Sequence, residues 1–347
     1  MILDDLPPVS RPALGVASEA SSLADMFVRR VQATPRRKAW RNKRDGRWVE
    51  VAWQEFGQRA SAVATWLVRQ GLRKGDTVVI VGSTRAEWCV CDVGGQLAGL
   101  VTVGAYPTLT PDQLAYVVDH SDARVVFVEG RADLERVLGV KGQCPKLERI
   151  VVWDMDGVEP SPQPNPAVVS LAEVLATEVD EAELERRREA IVQGDVAIIV
   201  YTSGTTGPPK GAMLTHGNIL SFLTAGLDIE FDEDDEMLTF LPMAHVAERI
   251  AGFYMRIATG YSAAFASSIP AVLEEVKEVR PSLFGSVPRI FEKAYDRIQG
   301  QVEQASPVRR TLFRWAEGVG LRVVDRWQER APVGPLLRMQ HALADRL

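Results

Sequence analysis

The residues best suited to chemistry gather in one segment, 201–216, which reads YTSGTTGPPKGAMLTH. Three glycines (Gly204, Gly207, Gly211), four hydroxyls (Thr202, Ser203, Thr205, Thr206) and one cation, Lys210, stand together there. Glycines let backbone N–H groups approach anionic oxygens, hydroxyls add donors and a lysine adds a point positive charge, so the composition suits a polyphosphate. The spacing is not GxxxxGK[ST], because Lys210 comes six residues after Gly204 and follows Pro209, and it is not GxGxxG. The competing reading is a Ser/Thr/Gly-rich turn with no ligand, against which the length of the segment argues, since ordinary strand-to-helix turns are short. A second candidate is His245 in LPMAHVAER. A lone histidine at a strand-to-helix junction is either a functional group or a satisfied structural side chain. Glu248 and Arg249 beside it read as residues that orient the segment.

These residues need a scaffold, and the hydrophobic pattern supplies one. Residues 195–201 read as a strand aimed at the glycine-rich segment, with a helix from about 215 after it. Upstream, apolar residues at 53, 56, 60, 63, 64 and 67 predict a helix over 53–70 closed by Gly71, and TVVIV at 77–81 predicts a buried strand. Thr84 and Glu87 have capping-box spacing before a helix beginning near 88, and 101–105 is strand-like. Thr110-Pro111 opens a helix, followed by a strand at 124–129, a helix at 131–140 and a strand at 149–153. Beyond, helices are expected at 180–189, after 244, at 270–279 and through the tail from 288, with strands near 236–241, 261–266 and 283–287. The alternation implies a largely parallel sheet covered by helices on both faces. The proline-rich run 160–166 reads as an exposed connector, which divides the chain into an N-terminal extension (1–21), a first βα block (22–159), the connector (160–170) and a second block (171–347).

Composition narrows the function. The chain has 347 residues, 40 Lys+Arg against 46 Asp+Glu and a net charge of −6, so it lacks the excess positive charge that a nucleic-acid partner needs. The N-terminus does not have the pattern of a secretory signal. The most apolar stretch, 93–106, is shorter than the roughly 18 residues of a spanning helix, so membrane contact, where it occurs, is expected to be peripheral. Cys89, Cys91 and Cys144 read as reduced core thiols of a cytoplasm-like compartment, and no set of residues reads as a metal site. The acidic run 228–236 reads as a solvated loop, and His120 and His341 as surface or capping residues.

The segment TSGTTGPPKGAMLTHGN resembles the signature of the AMP-forming adenylate-forming superfamily, which includes acyl-CoA synthetases, luciferases and peptide-synthetase adenylation domains. Residues 82–129, 238–252 (LTFLPMAHVAERIAG) and 281–298 (PSLFGSVPRIFEKAYDRI) are similar to the long-chain fatty acyl-CoA synthetase branch. The resemblance implies a large α/β N-terminal domain of two stacked, mostly parallel sheets with helices between and outside them. It implies a ligase that activates a fatty acid with ATP to acyl-AMP and pyrophosphate and then forms acyl-CoA, with coenzyme A as co-substrate. By carry-over, Thr202, Ser203, Gly204, Thr205, Thr206, Gly207 and Lys210 would hold the phosphates with Mg2+ bridging them. His245 would stand beside the acyl and adenylate pocket, and Gly285, Ser286, Val287 and Pro288 would line the acyl site or simply pack. Family members carry YGxTE-like and TGD-like segments past the position matched by Leu347, and neither occurs here. The chain is therefore expected to correspond to a little over half of a synthetase, its C-terminal part missing. Two further readings stay open: a nucleotide-binding remnant without ligase turnover, and a fatty acyl-AMP ligase that does not use coenzyme A.

Overall fold

The computed structural model describes residues 15–161, 166–202, 208–225 and 231–346. Helix α1 (Leu23–Ala33) starts at Ser22, whose hydroxyl accepts the Asp25 N–H. Strands β1 (Lys38–Arg44) and β2 (Arg47–Ala52) form a hairpin turned by Asp45 and Gly46. Both turn residues have positive φ, 49° and 75°, as a two-residue hairpin turn demands. Then follow α2 (Trp53–Arg69), β3 (Thr77–Val81), α3 (Ala86–Leu97), β4 (Val101–Ala105), α4 (Pro111–His120), β5 (Ala123–Val128), α5 (Arg131–Gly139) and β6 (Arg149–Val152). The next elements are β7 (Ala167–Ser170), α6 (Leu171–Leu175), α7 (Glu181–Ala190), β8 (Val196–Thr202), β9 (Lys210–Thr215), α8 (His216–Ala225) and β10 (Glu236–Thr239). A π-helix (Ala247–Tyr254) runs into α9 (Met255–Thr259), followed by β11 (Ser262–Phe265), α10 (Val272–Val279), α11 (Pro288–Gln304), α12 (Pro307–Gln328) and α13 (Pro335–Ala344).

The chain divides after Phe284 into two compact units. The larger one contains two sheets. Seven strands run in the order β7-β6-β5-β3-β4-β8-β9, parallel except for the antiparallel β8–β9 pair. Four more run β10-β11-β1-β2, parallel except for the β1–β2 hairpin. This is the stacked, mostly parallel arrangement with flanking helices that the sequence predicts. Strands β6 and β7, on either side of the proline-rich run 160–166, pair in one sheet, and residues 162–165 fall outside the described residues.

Alternation along β3 explains the layering. Val79 and Val81 pack into one cluster with Leu114, Val118 and Val137 of α4 and α5. Val78 and Ile80 face the other way, into a larger cluster with α1, α2 and α3. That cluster also takes in Trp40, Ala263 and Phe265 of the four-stranded sheet, so these three helices fill the space between the sheets. Phe56 sits at its centre, with ring centroids 4.7 Å from Phe27, 4.6 Å from Trp40 and 5.9 Å from Trp53. Two helical glycines permit the close packing. A Cβ on Gly94 would lie 2.5 Å from Val63 Cγ1 of α2, and one on Gly95 would lie 2.4 Å from Thr102 Cγ2 of β4.

Three local expectations are corrected. Thr84 does not cap α3: the N-cap is Arg85, and the Thr84 hydroxyl donates instead to the Leu241 carbonyl at 2.6 Å. Residues 283–287 do not form a strand, because only Leu283 bridges, to Met237 of β10. The connection from β8 to the helix expected near 215 is not a loop throughout: residues 210–215 form β9, which folds back on β8, and α8 then begins at His216. The unit after Phe284 is helical, as its pattern predicts. Each of α11, α12 and α13 has a proline in its first turn, where the missing N–H costs nothing.

One buried contact spans most of the larger unit. The Leu23 N–H at the start of α1 donates to His216 Nδ1 at 3.2 Å, at the start of α8. Burial holds this imidazole neutral, lowering its pKa to about 4, with Asp195 opposing the shift and Lys74 adding to it. The unfolded chain takes up a proton near pH 6.5 that the folded one refuses until about pH 4. The stabilisation is therefore complete above pH 6.5 and is lost as pH falls towards 4. Between pH 7.5 and 5 His216 should account for about 2 kcal/mol of lost stability. Urea unfolding of wild type and His216→Gln at both values checks this, and the variant should lack that part of the slope.

Candidate functional site

Parallel strands send their carboxyl ends to one edge of a sheet, and ligands of open α/β sheets bind along that edge. Here the ends of both sheets converge. Residues following β3 (Gly82, Ser83, Arg85), β4 (Tyr106, Thr108), β5 (Glu129), β10 (Phe240, Pro242) and β11 (Ser267, Ile269) line a cleft of about 430 Å3. Its charges are paired. Glu129 accepts the Ser83 N–H at 2.8 Å and the Ser83 hydroxyl at 2.7 Å and meets Arg85 at 3.1 Å. Although burial opposes ionisation, these donors hold its carboxyl below the ordinary range. Glu275 grips Ser267 in the same way, N–H at 2.9 Å and hydroxyl at 2.6 Å, and meets Lys43 at 3.3 Å.

The glycine-rich segment leaves from the same rim, because β8 is parallel to β4, with Thr102 opposite Ile198 and Gly104 opposite Val200. Thr202 is the last residue of β8 and Lys210 the first of β9, and the two face each other as the closing pair of the hairpin. Both are exposed, and among the described residues no ion pair engages Lys210. Ser203, Gly204, Thr205, Thr206 and Gly207 lie outside the described residues. Behind the hairpin, Tyr201 lies against Gly211, and its hydroxyl stands 2.8 Å from His120 Nδ1, so His120 ties α4 to β8 rather than simply facing solvent.

His245 is exposed and closes a tight turn, its N–H donating to the Pro242 carbonyl at 2.9 Å. Its Nδ1 accepts the Ala247 N–H at 3.1 Å. A neutral ring in that arrangement carries its proton on Nε2, which makes His245 a hydrogen-bond donor through that atom. Three ties bind this segment to the seven-stranded sheet. Thr84 holds Leu241. Gly104 admits Ala244, whose Cα would lie 2.8 Å from a Cβ at that position. Arg249, fully buried, pairs with Asp92 of α3 and reaches the Thr102 carbonyl of β4 at 3.2 Å. Arg249 thus orients the segment, as its sequence context suggests. Glu248, equally deep, lies against Gly252.

Sequence reasoning did not single out Asp92, Thr102 or Gln96, nor the cleft residues Lys43, Ser83, Arg85 and Glu129. For Asp92 a signal existed, an acid in the middle of the apolar helix AEWCVCDVGGQL. The acidic run before β10 is also more engaged than a solvated loop: Glu233 meets Arg30 at 2.9 Å, and Glu236 meets Lys38 at 2.8 Å. Among the described residues no group of three or more His, Cys, Asp or Glu side chains is placed to hold a metal ion.

The mixed α/β scaffold thus places the Thr202–Lys210 end of the β8–β9 hairpin and the cleft on one carboxyl rim. Residues 27–339 match the family described as AMP-binding enzyme, and the chain belongs to that family. It is 32% identical over 351 residues to the long-chain-fatty-acid–CoA ligase FadD15 of Mycobacterium tuberculosis, covering 98% of this chain and 55% of that protein. It is 31% identical over 313 residues to the peroxisomal long chain acyl-CoA synthetase 7 of Arabidopsis thaliana, covering 86% and 43%. The adenylation domain of the carboxylic acid reductase of Segniliparus rugosus, solved with AMP and a co-purified carboxylic acid, matches in fold. Its TM-score is 0.70 at 21% identity, over 86% of this chain and 55% of that one. The chain spans about half the length of the curated relatives it matches.

Glu248 offers a test of the buried floor beneath this site. Burial pushes its carboxyl up to about 7, while Arg256 opposes the shift. An acid raised in the folded state contributes its full stabilisation below its unfolded value near 4.5 and loses it as pH rises through 7. Glu248→Gln should therefore gain about 2 kcal/mol on wild type between pH 5 and pH 8. Chemical denaturation at the two values measures the difference, whose sign is opposite to that expected from His216.

Proposed function

We propose that this chain carries the ATP- and acyl-binding part of a long-chain fatty acid:CoA ligase. The observation that carries the reading is the 32% identity to a long-chain-fatty-acid–CoA ligase over 98% of this chain. In the first step a fatty carboxylate oxygen attacks the α-phosphorus of ATP. The bond to the β-phosphate oxygen breaks, and pyrophosphate leaves with its electron pair to give acyl-AMP. In the second step the coenzyme A sulfur attacks the acyl carbon, the bond to the AMP oxygen breaks, and the thiol proton passes to solvent.

Both steps crowd negative charge, so positioning and neutralisation are the main tasks. Thr202, Ser203, Gly204, Thr205, Thr206, Gly207 and Lys210 are assigned to the phosphates, supported by the exposed positions of Thr202 and Lys210 at the rim. His245 is assigned as a donor through Nε2 to an oxygen of the reacting carboxylate or phosphate, supported by its engaged Nδ1. Mg2+ belongs to this reading as the counter-ion of the ATP substrate, and among the described residues no group of three or more His, Cys, Asp or Glu side chains is placed to hold it.

A reducing, cytoplasm-like location fits the three free, buried thiols, which burial keeps protonated: Cys89 is pushed up to about 12. No helix among the described residues is long and apolar enough to cross a membrane; in this reading, contact with the inner membrane face is peripheral.

Palmitate-dependent exchange of labelled pyrophosphate into ATP, measured on this chain, tests the reading. Exchange supports adenylation; its absence at saturating ATP and palmitate overturns it for this chain, and accumulation of acyl-AMP without transfer to coenzyme A marks an acyl-AMP ligase. Lys210→Ala removes the only cation of segment 201–211 and should weaken ATP binding about tenfold or more in a titration. His245→Ala should leave ATP affinity near wild type and lower the exchange rate about 100-fold, as expected for the loss of one donor at developing charge.

A further inference from the structure

Helix α3 is buried along its whole length except at Glu87, yet it carries Asp92 and, one turn on, Gln96. Both bond to other elements of the chain. Asp92 accepts from the Tyr254 hydroxyl at 2.7 Å and the Thr102 hydroxyl at 2.6 Å and pairs with Arg249. The Thr102 hydroxyl in turn accepts from Gln96 at 2.9 Å and from Arg249. The same Gln96 amide donates to the Ala197 carbonyl of β8 at 2.9 Å. One connected set of hydrogen bonds thus runs from the π-helix through α3 and β4 to β8. Its two ends are functional neighbours: Arg249 lies four residues after His245, whose carbonyl accepts the Arg249 N–H at 3.0 Å, and Ala197 lies five residues before Thr202.

Stability alone does not account for this arrangement. Arg249 Nε and Nη1 and Gln96 Oε1 have no hydrogen-bond partner among the described residues, although all three are buried. A buried ion pair with donors left over is a poor way to stabilise a core, and apolar side chains of like volume usually do as well or better. Such a network does select one relative placement of the elements it joins, because any slip leaves charges unpaired in a dry interior. We infer that Asp92 and Arg249, linked through Thr102 and Gln96, form a positioning unit that holds the His245 segment and the strand entering the glycine-rich segment in one register. The catalytic meaning of that register rests on the ligase reading above; the register itself does not.

Thr102→Val deletes the shared hydroxyl at nearly constant shape, Asp92→Asn removes the charge, and Thr102→Ser keeps the hydroxyl. Amide hydrogen exchange read by mass spectrometry, with thermal melting as a folding control, separates positioning from general loosening. In Thr102→Val and Asp92→Asn, peptides covering 242–249 and 196–202 should both exchange about tenfold faster, with β5 unchanged and Thr102→Ser close to wild type. In palmitate-dependent exchange, Thr102→Val should lower kcat about tenfold and leave the KM for ATP within about twofold, because alignment and not phosphate binding is lost. Loosening confined to one of the two segments, or spread evenly through β5, overturns the inference. Should Asp92→Asn fail to fold, Thr102→Val decides alone. A wild-type chain without pyrophosphate exchange would overturn the ligase reading, while hydrogen exchange would still decide the positioning unit.

Discussion

The rest of the structure depends on a helix that has no face towards water. An ordinary surface helix hides one stripe of side chains and solvates the other; α3 lies between two sheets and hides every residue but Glu87. Its volume is limited on both sides, since Gly94 meets Val63 of α2 and Gly95 meets Thr102 of β4 at distances no side chain fits. In such a place an unpaired carboxylate costs several kcal/mol. The presence of Asp92 therefore commits residues far away in sequence: a hydroxyl on β4, a phenol and a guanidinium on the π-helix. A single acid in α3 thus helps decide where residues 249 and 254 must lie.

The π-helix answers that demand at a cost of its own. Its wide turn buries the successive residues Glu248, Arg249 and Ile250. Arg249 pairs with Asp92, and its guanidinium also lies 5.1 Å from the centre of the Trp88 ring. Glu248 is brought inside by the same turn without an equivalent partner among the described residues; burial dominates its titration, with Arg256 opposing. Irregular helical turns of this kind cluster at functional sites, and here the irregularity begins two residues after His245.

How much of this was legible in the sequence depended on whether the signal was local. TVVIV announced a strand buried on both faces, and Thr110-Pro111 announced a helix that does begin there, with Thr110 and Gln113 capping each other. Thr84 and Glu87 carried the same spacing and misled, because the Thr84 hydroxyl finds a carbonyl 157 residues away that no local rule foresees. The β1–β2 hairpin was not read, although Asp45-Gly46 marked its turn. Its first strand is rich in Arg and Lys, and Arg41 and Lys43 lie 5.2 Å from the centre of the Trp48 ring, so polarity hid a strand that pairs through its cations. Residues 283–287 had a strand's composition, but beyond Leu283 no described strand pairs with them. At the site, the glycine-rich segment stood out by composition alone. Its buried supports did not, because Asp92, Thr102 and Arg249 acquire meaning only once the sheet brings them together.

The division between visible and hidden residues has a physical reason. In the proposed reading Thr202, Lys210 and His245 reach a ligand, and all three stand exposed at the carboxyl rim, the first two as the closing pair of the β8–β9 hairpin and the third in a turn. Exposed side chains on turns hold position only if something beneath the turns is rigid, and apolar packing alone permits small slips between layers. Hydrogen bonds in a dry interior do not, since a displacement of an ångström leaves a charge without its partner. The His245 turn accordingly rests on Arg249 and Asp92, and β8 rests on Gln96 at its second residue, Ala197. Placing the polar groups at the two ends of one buried network lets the rim stay open while, in the proposed reading, the distance between its two ligand-facing parts is set from below.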